Sequence, residues 1–315
     1  RPERILGPDF TGGRLVVRGE GVSFGGIRRS AGALRLEARD SRLSSCVVER
    51  GGVVVGDGAD AARSRVDHLE VTGGAIGITL DHGGRPRSND RVRVDHCFIH
   101  DLGFTTRENG HEALRCFPGL ESDPVETGIL FEWILMERVD WEGEGEAPSI
   151  KRPGVTMRYC SLVDSPISAI TMRRTWGTVI EHCYVKDSRE IRVHGDGNTV
   201  RGCVLDGPRV LLRVASGDGY LEDPAPTGIH AAARDTTVSD NDFRGGAGFS
   251  IGTGYTDDTL PCLRTRGARN SLAPTLGPYE RETTVGAGVP RLDPATRLLT
   301  VDDLRSHFIG PLARL

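Results

Sequence analysis

Five short segments of the sequence share one pattern, in which a cysteine has an apolar residue three positions before it and two positions after it. Leu69, Ile134 and Asn241 take the place of the cysteine in three further segments with the same pattern. The five cysteines are Cys46, Cys97, Cys160, Cys183 and Cys203. Consecutive positions of this frame lie 20 to 38 residues apart, and most of the spacings are between 20 and 28. The chain therefore contains eight copies of one short unit.

The period and the composition of these units predict a solenoid built from strands. Short runs rich in Val, Ile and Thr alternate with Gly, Asp and Asn, and helical heptads are hard to find. A unit of this kind cannot bury its apolar side alone, so equivalent positions must stack along an axis. Leucine-rich repeats have a similar period but need a Leu/Asn consensus that is absent here. We therefore predict an all-β, single-domain right-handed parallel β-helix.

The cysteines of the frame are predicted to be packing residues. A small apolar side chain suits an inward-facing turn position that repeats from coil to coil. The 7 cysteines include no C-x-x-C pair of the kind that binds metals, and we expect no disulfides. Cys116 and Cys262 lie outside the frame and have no assigned role. The histidines just before frame positions, His68, His96 and His182, are expected to be exposed turn residues.

The frame also predicts how the chain is organised. Residues 1–252 are expected to form the coils and the catalytic face, and residues 253–315 a Pro/Gly/Arg-rich tail of the same domain that wraps or caps the end. Two long spacings indicate insertions, at residues 103–128 and 216–228. Solenoids place such insertions on one face, which is commonly the binding face.

Charge and hydropathy argue against several classes of partner. The net charge of -4 and the pI of about 6.2 give no general electrostatic reason to bind nucleic acid or an anionic membrane. No apolar run reaches the length of about 18 residues that spans a bilayer. The first ten residues contain neither an initiator Met nor a signal-like apolar stretch, so we expect a processed or trimmed chain. The oligomeric state is not predicted.

The coil frame brings several polar residues to the same phase. They lie 9 to 13 residues after a frame position on successive coils, so they are expected to line one strip of the surface. These residues are Asn109, Glu144, Glu146, Arg173 and Arg192. Lys151 lies 17 residues after Ile134, on the same coil as the two glutamates.

This set of side chains favours one kind of chemistry. Nearby carboxylates and an amide oxygen are ligands that suit Ca²⁺, and a bound cation can neutralise the carboxylate of a substrate. The proton α to that carboxylate then becomes removable by Lys151, while Arg173 stabilises charge or assists protonation of the leaving oxygen. Together these steps are a β-elimination that cleaves a uronate-containing polysaccharide. The alternative interpretation of "EGEGE", residues 142–146, is a solvated acidic loop.

Four motifs resemble those of the alginate lyase and chondroitinase B family of polysaccharide lyases. "EGEGEAPSIK" (142–151) is similar to D-G-E-x-E-I-I-S-x-K-S, and "NGHEALR" (109–115) to N-G-x-E-x-I-R. "ITMRRTWG" (170–177) resembles L-x-L-R-H-G, and "SREIRVHGDGNTVRGC" (188–203) resembles G-G-I-R-x-x-G-x-x-x-x-V-x-x-N. The likeness covers roughly residues 14–250. It implies a calcium-dependent, secreted lyase with a parallel β-helix fold.

The resemblance also implies residue roles. Calcium would be bound by Asn109, Glu144 and Glu146. Lys151 would be the Brønsted base, and Arg173 the Brønsted acid or its assistant.

Other residues of the motifs are expected to bind the substrate. Arg115 and Arg192 would hold its carboxylate or sulfate groups. Arg174 stands where the family usually has a histidine, and His111 and His194 lie inside the motifs, so we expect these three to contact the substrate.

Two other classes of function remain open. A hydrolase or uronate epimerase on the same scaffold would leave no double bond in its product, and a hydrolase needs two carboxylates across a sugar-binding cleft. Glu144 and Glu146 are too close in sequence to flank a glycosidic bond. A non-catalytic solenoid would bind an anionic glycan without turnover.

Overall fold

A computed structural model describes residues 9–10, 12–29, 31–85, 87–102, 112–116, 126–139, 146–221, 230–255, 257–286, 288 and 292–306. These residues form short strands and a single described helix. Numbered in chain order, the first strands are β1 (Asp9–Phe10), β2 (Arg14–Glu20), β3 (Ser23–Gly25), β4 (Arg28–Arg29), β5 (Ala33–Arg39), β6 (Arg42–Ser44), β7 (Val47–Glu49), β8 (Val53–Gly56), β9 (Arg65–Asp67), β10 (Glu70–Thr72), β11 (Ile78–Asp81) and β12 (Arg93–Asp95). The next are β13 (Phe98–His100), β14 (Leu114–Cys116), β15 (Leu130–Glu132), β16 (Leu135–Glu137), β17 (Glu146–Ile150), β18 (Thr156–Arg158), β19 (Ser161–Val163), β20 (Ala169–Trp176), β21 (Val179–Glu181), β22 (Tyr184–Lys186) and β23 (Glu190–Asp196). The last elements are β24 (Thr199–Arg201), β25 (Val204–Asp206), β26 (Leu211–Ala215), β27 (Thr237–Ser239), β28 (Asp242–Arg244), β29 (Gly248–Thr253), β30 (Cys262–Leu263), β31 (Arg266–Ala268), β32 (Thr275–Leu276), β33 (Glu280–Arg281), β34 (Thr284–Val285) and α1 (Val301–Ser306).

The strands form three long parallel sheets, and successive strands of the chain visit the sheets in turn. The first sheet has the order β1-β4-β7-β10-β13-β16-β19-β22-β25-β28. The second has the order β2-β5-β8-β11-β14-β17-β20-β23-β26-β29-β32, and the third β3-β6-β9-β12-β15-β18-β21-β24-β27-β31-β34. A short fourth sheet pairs β30 with β33. The predicted all-β parallel β-helix is confirmed.

Each frame position found in the sequence lies directly before a strand of the first sheet. The residues that follow the frame positions pair from coil to coil, from Val47 through Glu70 and Phe98 to Leu135 and onward to Asp242. All eight frame residues are buried. All seven cysteines are unpaired thiols, and burial raises the pKa of the Cys46 thiol to about 11, which keeps it unreactive.

A column of stacked rings lies where the third-sheet strands end, one residue before the frame position of each coil. His68, His96, Trp133, Tyr159 and His182 follow one another with ring centroids 4.8 to 6.3 Å apart. All five residues have a left-handed backbone, with φ between 52° and 57°. The three histidines are therefore not the exposed turn residues that we expected, because each ring is sheltered by its neighbours in the column.

The C-terminal part of the chain continues and then covers the coils. Strands of the second and third sheets extend beyond Gly252, as far as Val285. Leu299 and Leu304 pack with Phe98, Leu135 and Val163 of the first sheet. Thr296 Oγ1 lies 3.1 Å from His182 Nδ1, at the end of the ring column. Within the part of the chain that is described, no helix has the length and apolarity needed to cross a membrane.

Candidate active site on the second sheet

The outward side of the second sheet carries most of the residues singled out by the motifs. Strand pairing aligns Arg115 of β14 with Ser149 of β17, then Thr171 of β20, then Arg192 of β23 and Arg213 of β26. Neighbours in such a row are about 4.8 Å apart across each pair of strands. Five consecutive coils therefore present their side chains to one continuous strip.

A β-bulge in β17 brings Glu146 to this strip. Glu146 pairs with Ala169 and Ser149 pairs with Thr171, so three residues of β17 advance where β20 advances two. Without the extra residue, Glu146 and Ser149 would point to opposite sides of the sheet. The bulge therefore gives both side chains the same outward direction.

Glu146 is the centre of the described site. Its Oε1 lies 3.1 Å from Arg173 Nη1, its Oε2 accepts a 2.6 Å hydrogen bond from Ser149 Oγ, and Lys151 Nζ lies 3.7 Å from Oε2. Burial acts to raise the pKa of Glu146, but the charges of Lys151 and Arg173 outweigh it and hold the pKa below its usual range. Glu146 is therefore an ionised, buried carboxylate shared by two cations.

Lys151 has a second carboxylate partner that the sequence reasoning missed. Its Nζ donates to Glu112 Oε1 at 3.1 Å, and the side chain of Glu112 is 1% exposed. Glu112 also lies 2.9 Å from Nη1 of Arg115, so it joins two of the predicted residues. The signal was present, because Glu112 is the fourth residue of the "NGHEALR" motif.

A second bulge lies at Arg173. Met172 pairs with Val193 and Thr175 with Gly195, so Arg173 and Arg174 together oppose one residue of β23. Arg174 takes up the bulge with a left-handed backbone, at φ 53°. Bulges of this kind redirect side chains next to functional sites. Arg173 reaches Glu146, and both arginines remain partly exposed.

Arg192 is held in place from several sides. It donates from Nε to Glu190 Oε1 at 3.0 Å, and its guanidinium carbon lies 4.8 Å from the centre of the Tyr255 ring. Burial acts to lower the pKa of Arg192, but the Glu190 carboxylate outweighs it and raises that pKa. Arg213 Nε lies 3.0 Å from the other oxygen of Glu190. Glu190, Arg213 and Tyr255 were not predicted, although Glu190 lies within the fourth motif.

His194 does not contact the surface as we expected. Its ring is fully buried, because the chain after β26 returns over the end of β23 and Ala231 O lies 3.2 Å from His194 Nδ1. Burial, together with the charges of His230 and Arg192, lowers the pKa of His194 to about 3. A neutral, enclosed imidazole is not available to a substrate, so this assignment is wrong.

Three predicted residues, Asn109, His111 and Glu144, lie outside the described residues. Of the expected calcium ligands, the structure therefore describes Glu146 alone. Its ionised carboxylate is a hard oxygen donor and fits calcium chemically. Its contacts with Lys151 and Arg173 would have to loosen for a cation to bind.

Comparisons with known proteins are informative at the level of structure. No family model matches the sequence, and the search of curated proteins found no match. A mannuronic acid-specific polysaccharide family 6 lyase from human gut microbiota is 15% identical, with a TM-score of 0.58 over 85% of this chain and 76% of its own. An alginate lyase in complex with G6 is 12% identical, with a TM-score of 0.60 over 91% of this chain and 79% of its own.

A third structure gives the same result. The PL6 family polysaccharide lyase from Pseudopedobacter saltans is 16% identical, with a TM-score of 0.57 over 91% of this chain and 85% of its own. At such identities the likeness is one of fold. The fold implied by the motif resemblance is therefore confirmed, and this chain is similar in fold to the family 6 polysaccharide lyases.

Proposed function

We propose that the protein is a polysaccharide lyase that cleaves a uronic-acid-containing polysaccharide, of the alginate or glycosaminoglycan type, by β-elimination. The observation that carries the proposal is the arrangement around Glu146. Lys151 and Arg173, on neighbouring coils, both contact this buried carboxylate on the open side of the second sheet. A base and a proton-donating or charge-stabilising group are thus held together, as the reaction requires.

The charge of the strip supports an anionic substrate. Among the described residues, the cationic side chains outnumber the carboxylates Glu112, Glu146 and Glu190. The cations are Arg115, Lys151, Arg173, Arg192 and Arg213. They lie on successive coils at the spacing of the sheet, so a polymer that repeats its carboxylates can follow the strip. The named fold neighbours support alginate as the first substrate to try.

In this mechanism, guanidinium groups first bind the uronate carboxylate. Arg115 is held by Glu112 and Arg192 by Glu190, so both are oriented before substrate arrives. Lys151 then removes the proton on the carbon next to the carboxylate. The electron pair forms the double bond as the glycosidic C–O bond breaks, and the leaving oxygen gains a proton from Arg173, or from a water that Arg173 orients.

Calcium is part of the proposal. Glu146 would hold it together with Glu144 and Asn109. A bound calcium ion would neutralise the substrate carboxylate and so ease removal of the proton next to it. Activity should then fall when a chelator removes calcium and return when calcium is added back.

We also propose that the protein is secreted, because a polymeric substrate of this kind lies outside the cell. Detection of the protein in the medium of its own producing cells would test it.

One observation favours a second function, an anionic-glycan-binding solenoid without turnover. Lys151 contacts two carboxylates in this structure, those of Glu112 and Glu146, and these contacts engage the nitrogen that a lyase would need as its base. Hydrolysis is less suited to the site, since the lowered pKa of Glu146 makes it a poor general acid.

The decisive experiment is an ultraviolet assay for unsaturated products with alginate, dermatan, chondroitin, heparan and pectate, with and without calcium. Lys151→Ala should reduce the rate by at least about 100-fold, because the base is removed. The chain contains two lysines, so Lys186→Ala on the first sheet is the matched control and should behave like wild type.

Absence of absorbing product on every polymer would contradict the lyase. If such a chain still binds one of the polymers tightly, the binding function replaces it.

A further inference from the structure

A second cluster of polar side chains lies beyond the proposed active site, where three segments meet. Gly217 bridges to Leu260 and Gly219 bridges to Ala231, so residues 216–221, 230–234 and 257–260 are joined side by side. This arrangement brings Asp218, His230 and Asp258 together, with one potential ligand atom of each lying within 4.8 Å of the others. None of the four motifs includes these residues, and the proposed mechanism does not use them.

The three side chains already support one another. Asp258 is 1% exposed, its Oδ1 lies 3.1 Å from His230 Nδ1, and its Oδ2 accepts a 2.9 Å hydrogen bond from the Tyr255 amide. Asp218 Oδ1 accepts a 3.0 Å hydrogen bond from the His230 amide. A buried carboxylate next to an imidazole is a donor pair that suits a transition-metal ion.

Two buried polar atoms beside the cluster have no hydrogen-bond partner in the described structure. One is the hydroxyl of Ser216, and the other is Nε2 of His194, whose ring stacks on His230 with centroids 5.2 Å apart. Each of these buried atoms can therefore still bond to a ligand or a water.

Gly254 shows where Ser216 lies relative to the cluster. A Cβ atom at Gly254 would be 2.5 Å from Ser216 Oγ and 2.8 Å from Asp258 Oδ2. Any side chain at this position would clash with both groups, so the glycine lets the Ser216 hydroxyl and the buried Asp258 carboxylate lie beside the same stretch of backbone. A cation bound at this edge of the cluster could be coordinated by the hydroxyl oxygen of Ser216.

We propose that Asp218, His230 and Asp258 form a binding site for a divalent transition-metal cation, with Zn²⁺ as the preferred ion and Ser216 at its edge. Two carboxylates and one imidazole are a mixed oxygen and nitrogen donor set, which suits Zn²⁺, whereas Ca²⁺ takes oxygen ligands. On binding, the contact between His230 and Asp258 is exchanged for bonds to the ion. The ion ties the three segments together.

The site also has a consequence for the neighbouring strip. Tyr255 stacks on His230 with ring centroids 4.6 Å apart, and the same Tyr255 ring packs on the guanidinium of Arg192. An ion that fixes His230 and Asp258 therefore also fixes Tyr255 over Arg192.

The test is zinc binding by the tag-free, chelator-treated full chain. Bound metal is measured by elemental analysis after gel filtration, and the thermal midpoint is measured with Zn²⁺ and with Ca²⁺. We expect one tightly bound zinc per chain and a midpoint that rises by several degrees with Zn²⁺. Asp258→Asn and His230→Gln should lose both effects. Asp257→Asn, which changes the exposed neighbouring aspartate, should keep them.

A variant at the proposed calcium site separates the two sites. Glu146→Gln should still bind zinc with the same midpoint shift, whether or not any polysaccharide is cleaved. If Asp258→Asn does not fold, Ser216→Ala and His230→Gln are compared by the visible absorption of bound Co²⁺, which reports a change in ligands directly.

Three results would overturn the proposal. The first is a folded wild-type chain that takes up no zinc. The second is equal binding by wild type and by both ligand variants, and the third is a shift with Ca²⁺ in Glu146→Gln, whose proposed calcium site is impaired, as large as the shift with Zn²⁺.

Discussion

Glu146 is the residue through which the two proposed catalytic groups affect each other. It is buried and ionised, and Lys151 and Arg173 take different oxygens of its carboxylate. Removing a buried partner from two charges leaves those charges uncompensated, which costs more than the attraction itself contributes. A change at this one position should therefore affect stability and activity together.

The first prediction concerns Glu146→Gln. The neutral amide keeps the shape but leaves Lys151 and Arg173 without their shared charge, so we expect a loss of about 1 to 3 kcal/mol of unfolding free energy. Lyase activity should fall by at least about 100-fold, because the two groups lose their common anchor. Urea titrations and the ultraviolet assay measure the two effects. Glu49→Gln, which removes a surface ion pair with Arg28, should cost no more than about 1 kcal/mol.

The difference in unfolding free energy between wild type and Glu146→Gln should depend on pH, and the sign of the Glu146 pKa shift gives its direction. The folded-state pKa of Glu146 is lowered from its usual 4.5, so its stabilising contribution is fully present above about that pH. This contribution is lost as the pH falls through the lowered pKa, because Glu146 of the wild type then gains a proton and is as neutral as the glutamine of the variant. A stability difference that instead grows below pH 4.5 would contradict the assignment.

Individual residues also show where sequence reasoning succeeds and fails. Lys151 and Arg173 were placed next to each other correctly because strand alternation and coil period are local properties. His194 was misplaced because its burial depends on residues 230–234, which return over β23 from a distant part of the chain. Glu112 was missed because a motif match does not say which of its polar residues meet in space.

At the scale of the strand, the third sheet is braced by a line of alternating charges. Arg42 pairs with Asp67, Arg65 with Asp95, and Arg93 bridges Asp95 to Glu132 on successive coils. Asp67 and Asp95 are fully buried beneath the arginines. In a solenoid each coil contacts only its neighbours, and each of these ion pairs joins two neighbouring coils. The line of charges therefore strengthens every one of these coil-to-coil contacts along the third sheet.

The second prediction is that Asp95→Asn weakens this coupling. Burial acts to raise the pKa of Asp95, but its hydrogen bonds to His96 and Arg65 outweigh it and lower the pKa to about 2. We expect a loss of about 3 kcal/mol or more at pH 7, because two arginines lose a buried partner. The loss should shrink as the pH falls from about 4 towards 2, where wild type gains the proton.

Asp240→Asn provides the control for that measurement. Asp240 makes the same two-point contact with Arg269, but Arg269 is 57% exposed. An exposed pair contributes no more than about 1 kcal/mol. Equal losses of unfolding free energy for Asp95→Asn and Asp240→Asn in chemical denaturation would show that burial does not determine how much these ion pairs stabilise the protein.

The bulges at this scale could not be predicted. The alternation rule places residues two apart on one side of a strand, and it applies only while each strand advances one residue for each residue of its neighbour. The extra residues in β17 and β20 interrupt that count, and they re-aim Glu146 and Arg174. The residue pattern contains no marker for an extra residue, whereas the inward frame of the first sheet is visible because burial selects small or apolar side chains at every turn.

For the whole molecule, the C-terminal segment sets how the coils hold together. Residues 292–306 run across the first sheet, with Leu299 and Leu304 against Phe98, Leu135 and Val163 from three successive coils. The amide of Leu299 donates to Ser161 Oγ at 3.0 Å. Because isolated coils interact only with their neighbours, a segment that spans several of them makes their unfolding more cooperative.

The last prediction tests this with Leu299→Ala. Leu299 is 3% exposed, so the cavity should cost about 2 to 4 kcal/mol and lower the thermal midpoint by several degrees. Hydrogen exchange should become faster in β13, β16 and β19, which lie under the segment, and stay unchanged in β5 and β8. Lyase activity should be kept below the transition, since the proposed site lies on the second sheet. Leu276→Ala, at a position 53% exposed, should change neither the midpoint nor the exchange. If Leu299→Ala leaves exchange in β13, β16 and β19 as slow as in wild type, the segment lies on the coils without coupling them.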